Sequence, residues 1–298
     1  MKVLLLGKDG QVGTELKRSL LPLGNLYSIG RHELNLINLP SLSQLLNTYQ
    51  PNIIVNAAAY TAVDKAEDDA KTAFIINQDV VTLLAQYAKC HHALLVHYST
   101  DYVFDGQKQG AYIETDAVNP QSVYGASKSA GEKAIALSGC DYLLLRTSWV
   151  FSATGKNFVK TVLQLAKEKD RLSVVSDQYG IPTSATWIAD MTHLMIEAHQ
   201  KQQIPNGIVH LTPIGVTTWY QFACYIIDKV HASGMALKLH SNDISPISTQ
   251  EYPLPAKRPS NSRLDNSLLC HALRAPIADW SAYVDPVIEQ LIQRELVV

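Results

Sequence analysis

The 298-residue chain has only four cysteines, Cys90, Cys140, Cys224 and Cys270, far apart and with no Cys-x-x-Cys among them. That spacing excludes a zinc cluster and a disulfide framework and fits reduced thiols in the cytoplasm. Charge of one sign is also lacking: 25 Lys and Arg stand against 27 Asp and Glu, a formal net charge of -2. No nucleic-acid partner or disordered acidic arm is implied. No apolar run approaches the roughly 20 residues a bilayer requires, so no membrane partner is expected. "MKVLLLGKDG" turns to glycine and charge too soon for a secretory signal. Ten histidines occur without ligand spacing on a shared face, and His91–His92 reads as a helix-to-strand loop. No metal site is expected. Internal repeats and low-complexity tracts are missing as well.

What remains is an ordinary globular composition, 47% hydrophobic and 17% charged, long enough to bury a sizeable core. The first half alternates short apolar runs with longer amphipathic ones. "KVLLL" (2–6), "LYSI" (26–29), "NIIVNAA" (52–58), "ALLVHYS" (93–99) and "DYLLLRTS" (141–148) read as strands. Segments 11–23, 39–50, 66–90 and 124–139 read as helices between them. Strands without polar alternation, separated by helices, predict a buried parallel sheet covered on both faces. Right-handed crossovers make it an α/β, Rossmann-type doubly wound fold. After residue 150 the rhythm loosens: 156–169, 184–200, 217–233 and 280–296 look helical, while 203–216 and 240–263 are rich in Pro, Ser and Thr. The expected plan is a dinucleotide-binding domain over 1–150 and a smaller, mostly substrate-binding part over 151–298, with the chain free to cross back to the sheet.

"VLLLGKDGQVGTEL" places Gly7, Gly10 and Gly13 directly after a strand and at the start of a helix. Gly7 allows a sharp turn, Gly10 lets backbone approach a phosphate, and Gly13 lets helix and sheet pack closely. The helix N-terminus adds free N–H groups and partial positive charge for a pyrophosphate. At the next strand end, "SIGRHELNLIN" offers Arg31 where a fold preferring NAD usually offers a carboxylate. A guanidinium suits a 2′-phosphate, so NADPH is expected, with NADH possible. The alanines of "NAAAYTAVDKAE" (56–67) allow backbone to lie flat against an adenosine or ribose.

"HYSTDYVFDG" (97–106) ends the fourth strand, where ligands of open parallel sheets gather. Thr100 can donate to a substrate oxygen, and Asp101 can orient a neighbour or bind a sugar hydroxyl. Some twenty residues on, "VYGASKSAGEK" (123–133) sets Tyr124 and Lys128 one helical turn apart on one face. Spacing alone does not decide: with 14 tyrosines, roughly one Tyr-x-x-x-Lys is expected by chance, and Tyr225 with Lys229 in "YIIDK" is a second. Position separates them. Tyr225 lies in a plain amphipathic helix of the less regular half and is read as core. Tyr124 opens a helix whose Gly125, Ala126, Ala130 and Gly131 permit close approach to the sheet. The chemistry that fits is hydride transfer to a carbonyl, with Tyr124 as acid. A phenol near pKa ~10 is a poor acid at neutral pH; a nearby ammonium and the positive nicotinamide of an oxidised cofactor are expected to bring it down. Tyr124 and Lys128 are expected at the cofactor as well, Lys128 holding the nicotinamide ribose.

Together the motifs resemble the extended short-chain dehydrogenase/reductase superfamily and, within it, the dTDP-4-dehydrorhamnose reductase family. The carrying stretches include "GKDGQVGTEL", "VNAAAYTAVDKAE", "HYSTDYVFDG", "NPQSVYGASKSAGEKA", "LLRTSWVFSATGKNFVKTVLQLA", "VVSDQYGIPT" and "PAKRPSNSRL". The resemblance implies reduction of the 4-keto group of dTDP-6-deoxy-L-lyxo-4-hexulose to dTDP-L-rhamnose. It implies Tyr124 as proton donor, Lys128 as its partner and Thr100 as the third catalytic residue. Thr100 and Asp101 then contact the nucleotide-sugar substrate, Trp149 stacks on or caps the sugar, and Arg258 serves the diphosphate. Gly10, Gln11 and Val12 resemble the phosphate-loop contacts, Ala59, Tyr60 and Thr61 those after the third strand, and Asn35 with Leu36 the adenine contact, where the family commonly has an aspartate. Some members form a magnesium-bridged dimer through glutamates. Glu15 is present, but Thr186 stands where another acid would align, so Mg2+ is at most structural and a homodimer is left open. Rival readings are a nucleotide-sugar epimerase or dehydratase and a non-catalytic relative such as the regulatory subunit of methionine adenosyltransferase. Asp101 followed by Tyr102, and the intact Tyr124/Lys128 pair, speak against them.

Overall fold

A computed structural model describes residues 1–274 and 276–296. Its centre is a six-stranded, wholly parallel sheet. Strands β1 (Lys2–Leu6), β2 (Asn25–Ile29), β3 (Ile53–Asn56), β4 (Leu94–Thr100) and β5 (Asp141–Thr147) are joined by a late strand, Gly207–His210. From edge to edge the order is Gly207–His210, β5, β4, β3, β1, β2, with Asn56 beside His97 and Thr100 beside Thr147 in register. Sheet direction and helix cover agree with the expected doubly wound fold.

Successive side chains of a strand point to opposite faces, so the continuous apolar runs feed two cores. Val3, Leu5, Val55, Val96 and Leu145 pack with Leu16 and Leu20, against Ile188 and Met195 of the Ala185–Gln200 helix. Leu4, Leu6, Ile54, Leu95 and Leu144 pack on the other face against Leu42 and Leu46 of helix α2 (Leu39–Tyr49) and Leu84 and Ala88 of the Val80–His91 helix. A third core lies wholly after residue 150. There Val159, Phe222, Ile226, Trp280 and Val284 join helices Phe158–Glu168, Trp219–Ala232 and Ser281–Leu296.

Three elements depart from the sequence pattern. Helix α1 (Gln11–Ser19) stops before 23, and a 3-10 turn carrying Pro22 follows it. The span 66–90 is not one helix: short helices Val63–Ala66 and Ala70–Phe74 lead through a π turn, Ile75–Asp79, into Val80–His91. The wide turn holds the buried Asn77, whose side chain bonds the Tyr60 N–H and carbonyl and the Ser127 hydroxyl at 2.9, 3.1 and 3.0 Å. The Pro-rich 203–216 segment contains the edge strand Gly207–His210, so the chain crosses back to the sheet.

Tyr225 is half-buried, and its hydroxyl bonds Asp285 at 2.5 Å while Lys229 pairs with the same carboxylate at 2.6 Å. This second Tyr/Lys pair ties two C-terminal helices together. Only His92 stands in the expected helix-to-strand connection, capping the helix in the left-handed conformation, while His91 is the last residue of the helix itself.

Candidate active site

The glycine turn is built on steric need. Gly7 has φ +85° and a Cβ there would lie 2.6 Å from the Ala58 nitrogen. A Cβ on Gly13 would stand 2.0 Å from the Gly7 carbonyl oxygen, so α1 can start this close to β1 only with glycine. Gly10 is exposed at the N-cap, which leaves the first-turn N–H groups of α1 accessible to a phosphate. Val12 turns its side chain into the core under α1. The side chain of Gln11 is engaged within the protein: its Oε1 accepts from Ser152 Oγ at 3.1 Å and Asn157 Nδ2 at 2.9 Å. Gln11 therefore joins the turn to the C-terminal half, and only its backbone faces the phosphate position.

After β2, Arg31 is exposed. Two residues on, Glu33 accepts from the Gly30 N–H at 2.9 Å and pairs with Lys8. An acid thus does stand at this strand end, already bound by a lysine, with Arg31 free to project beside it. Asn35 folds its Oδ1 onto the Ile37 N–H at 3.1 Å, and Leu36 packs on the sheet core. The Asn35 carbonyl that was expected to meet an adenine amine is satisfied locally. After β3, Ala59, Tyr60 and Thr61 form an extended stretch that Asn77 fastens to the helix carrying Tyr124. The Tyr60 hydroxyl bonds Asp69 at 3.2 Å.

Thr100, Asp101, Tyr124 and Lys128 converge where β4 meets the Val123–Ser138 helix. Ser122 caps that helix by accepting from the Gly125 N–H at 3.1 Å. Gly125 and Gly131 let it lie against the Tyr102 and Asn77 carbonyls, where a Cβ would approach to 2.2 Å in each case. The Thr100 hydroxyl donates to Asp101 Oδ1 at 2.9 Å and accepts from the Tyr102 N–H at 3.2 Å. Burial raises the Asp101 carboxyl to about 6, against the lowering effect of the Ser262 and Thr100 hydroxyls.

Tyr124 corrects one expectation. Its phenol is raised, not lowered: burial dominates, and the Thr100 hydroxyl only partly offsets it. The Lys128 ammonium does not counter burial because Nζ turns behind the strand, 2.6 Å from the Tyr98 carbonyl and 3.1 Å from His97 Nε2. Burial also lowers Lys128 to about 8.

Trp149 has φ +47° and stacks on Trp219 at 3.5 Å, with Gly180 against its edge. Arg258 donates to Asp64 at 2.7 Å and to the Tyr102 hydroxyl at 3.2 Å, and Tyr102 packs edge-on against Tyr124 at 5.5 Å. The late 256–264 segment is thus tied to the loops beside Tyr124. Glu15 and Thr186 are both half-buried, and among the described residues no group of acids, histidines and cysteines could hold a metal.

Residues 1–293 match the family model described as the RmlD substrate binding domain. The dTDP-4-dehydrorhamnose reductase of Burkholderia thailandensis is 44% identical over 298 residues, covering 99% of this chain and 100% of that protein. The enzyme of that name from Escherichia coli K12 is 41% identical, with 98% of each chain covered. The chain belongs to the dTDP-4-dehydrorhamnose reductase family. Solved family structures agree in shape. That from Clostridium acetobutylicum has a TM-score of 0.88 at 33% identity and covers 98% of this chain and 100% of its own. That from Bacillus anthracis, in complex with NADP, has a TM-score of 0.86 at 31% identity and covers 97% of this chain and 99% of its own.

Family resemblance carried the sequence reading to most of these positions, yet four contributors escaped it. Trp219, His97 and Asn56 escaped because they act on named residues from distant parts of the chain. Asn77 escaped because its role depends on a π turn that helix periodicity does not announce.

Proposed function

We propose that this chain reduces the 4-keto group of dTDP-6-deoxy-L-lyxo-4-hexulose to dTDP-L-rhamnose in the cytoplasm, using NADPH and accepting NADH. The observation that carries the reading is the Thr100 hydroxyl against the buried Tyr124 phenol at the C-terminal end of β4, with Lys128 one turn on along the same helix, in a chain 44% identical throughout to a named reductase. The cofactor fits the residues present: Gly10 is exposed at the start of α1, while Gly7 and Gly13, where a Cβ would strike the Ala58 backbone and the Gly7 carbonyl, keep the turn and helix close to β1. When bound, NADPH supplies the hydride. The α1 N-terminus binds the pyrophosphate, Arg31 meets the 2′-phosphate, and Ala59, Tyr60 and Thr61 line the adenosine side, near Asn35 and Leu36.

Tyr124 gives its phenolic proton to the ketone oxygen as negative charge develops there. Thr100 shares that charge by hydrogen bond, and Lys128, whose Nζ must first leave the Tyr98 carbonyl and His97, stabilises the phenolate that remains. For Thr100 to donate to the ketone, its hydroxyl must rotate away from Asp101, which then becomes the nearer group for a sugar hydroxyl. Trp149 supplies a flat wall for the sugar, and Arg258 pairs with the diphosphate. The residues after 150 make up most of the substrate side and those before it the dinucleotide side. A homodimer is compatible with the fold, without a bridging Mg2+.

The test is direct. Purified protein receives NADPH and freshly made 4-keto sugar nucleotide, and nicotinamide absorbance is followed. Oxidation stoichiometric with the rhamnose product is expected, and its absence ends the proposal. Arg31→Ala should raise KM for NADPH about tenfold and leave that for NADH unchanged, the worth of one charge-assisted contact.

A further inference from the structure

Behind Tyr124 runs a buried polar chain that the proposed chemistry does not use. Asn56 and His97 are each 1% exposed and Lys128 is 2% exposed. Asn56 Nδ2 lies 3.1 Å from His97 Nδ1, and His97 Nε2 lies 3.1 Å from Lys128 Nζ. Both ends are tied to backbone. The Ala58 N–H donates to Asn56 Oδ1 at 3.2 Å, and Lys128 Nζ donates to the Tyr98 carbonyl at 2.6 Å.

Those backbone ties decide where the protons sit. A backbone N–H can only donate, so the Asn56 oxygen faces Ala58 and its NH2 group faces the imidazole. Nδ1 must then present its lone pair, and a neutral ring with a bare Nδ1 carries its proton on Nε2. That N–H points at Lys128 Nζ. An ammonium has three donors and no lone pair, so only the uncharged amine can accept there. One arrangement alone gives each contact a donor and an acceptor.

The geometry points to Asn56 and His97 as positioning residues that hold Lys128 Nζ and bias it toward the neutral amine, so that this lysine gives up its third proton more readily than an exposed one. This rests on Lys128 being the partner of Tyr124, as proposed above.

The charged surroundings are few. Glu132, one turn on along the same helix, favours the lysine cation, but Arg146 of β5 holds that carboxylate at 2.9 and 2.7 Å. Burial presses His97 toward neutrality, and any positive charge on Lys128 acts the same way. From β3 the contact is the uncharged Asn56, and Asp101 at the end of β4 acts on Tyr124 and Tyr102. Burial acts in the same direction as the tautomer, bringing Lys128 to about 8.

Two measurements test this. In 15N-histidine-labelled protein without dinucleotide, at a pH above the value of about 8 where Lys128 titrates, His97 should show a protonated Nε2 and a bare Nδ1. The opposite tautomer overturns the inference, and no substitution is needed to see it. The second is the basic limb of kcat/KM against pH, which in the wild type reports loss of the Lys128 proton. Asn56→Asp accepts from both Ala58 and Nδ1–H, reverses the tautomer and turns a lone pair toward the ammonium. The limb should move up by at least one pH unit. A folded Asn56→Asp enzyme with an unmoved limb overturns the assignment. Lys128→Met separates the two levels: near-wild-type turnover there removes the underlying role of Lys128, whereas lost turnover with an unmoved Asn56→Asp limb removes only this inference.

Discussion

Glu132→Gln tests whether a buried ion pair holds the Tyr124 helix to the sheet. Glu132 and Arg146 are 6% and 2% exposed. Arg146 Nε and Nη2 donate to the two carboxylate oxygens at 2.9 and 2.7 Å, a bidentate fork. The guanidinium also lies 5.0 Å from the Phe104 ring centre and gives Nη1 to the Glu114 carbonyl at 3.3 Å. Glutamine is nearly isosteric, but it removes the negative charge and offers Arg146 one acceptor in place of two. The remaining guanidinium is then a buried, uncompensated charge, which costs about 3–5 kcal/mol. The pair itself is worth far less, because both ions had to be desolvated. Glu132→Leu combined with Arg146→Met should therefore recover most of the loss, to within about 1–2 kcal/mol of wild type. Urea unfolding followed by fluorescence reads this as a lower midpoint with an unchanged m-value. A single variant within about 1 kcal/mol of wild type refutes the reasoning, as does a double variant worse than the single.

Gly13→Val should abolish tight NADPH binding, read as loss of nicotinamide fluorescence enhancement, because its Cβ meets the Gly7 oxygen at 2.0 Å and α1 must shift. Wild-type affinity there would show that the turn tolerates a side chain. Trp219→Ala removes the 3.5 Å stack behind Trp149; KM for the sugar nucleotide should rise about threefold to tenfold, the worth of an aromatic pair, while Kd for NADPH stays unchanged. Equal effects on both ligands would contradict a wall that serves only the sugar. Asp101→Asn should flatten stability between pH 4 and pH 7. The folded carboxyl is raised to about 6, so its stabilising contribution is full below the unfolded value near 4 and is lost as pH rises through 6. Wild type should lose about 3 kcal/mol over that range relative to the variant, measured by urea midpoints at each pH.

The sequence by itself determined the sheet and its dinucleotide edge. Uninterrupted apolar strands such as "KVLLL" and "NIIVNAA" can be buried only between two helix layers, and Gly7 with Gly13 can be replaced by nothing larger at a turn this tight. It also singled out Tyr124 over Tyr225 by position, while the glycines of the Tyr124 helix turned out to serve close approach to the Tyr102 and Asn77 carbonyls of neighbouring turns, not to the sheet. Tertiary structure decided what surrounds those residues. Whether Lys128 faces its tyrosine or a histidine depends on Asn56 and His97, 72 and 31 positions away, and on the register that sets β3 beside β4. The raised phenol of Tyr124 follows from exclusion of water, which spacing along a chain cannot express. The edge strand at Gly207–His210 was hidden among turn-forming residues, since four residues pairing with β5 need a neighbour more than a pattern. Local rules name the groups that can react; long-range packing assigns their protons.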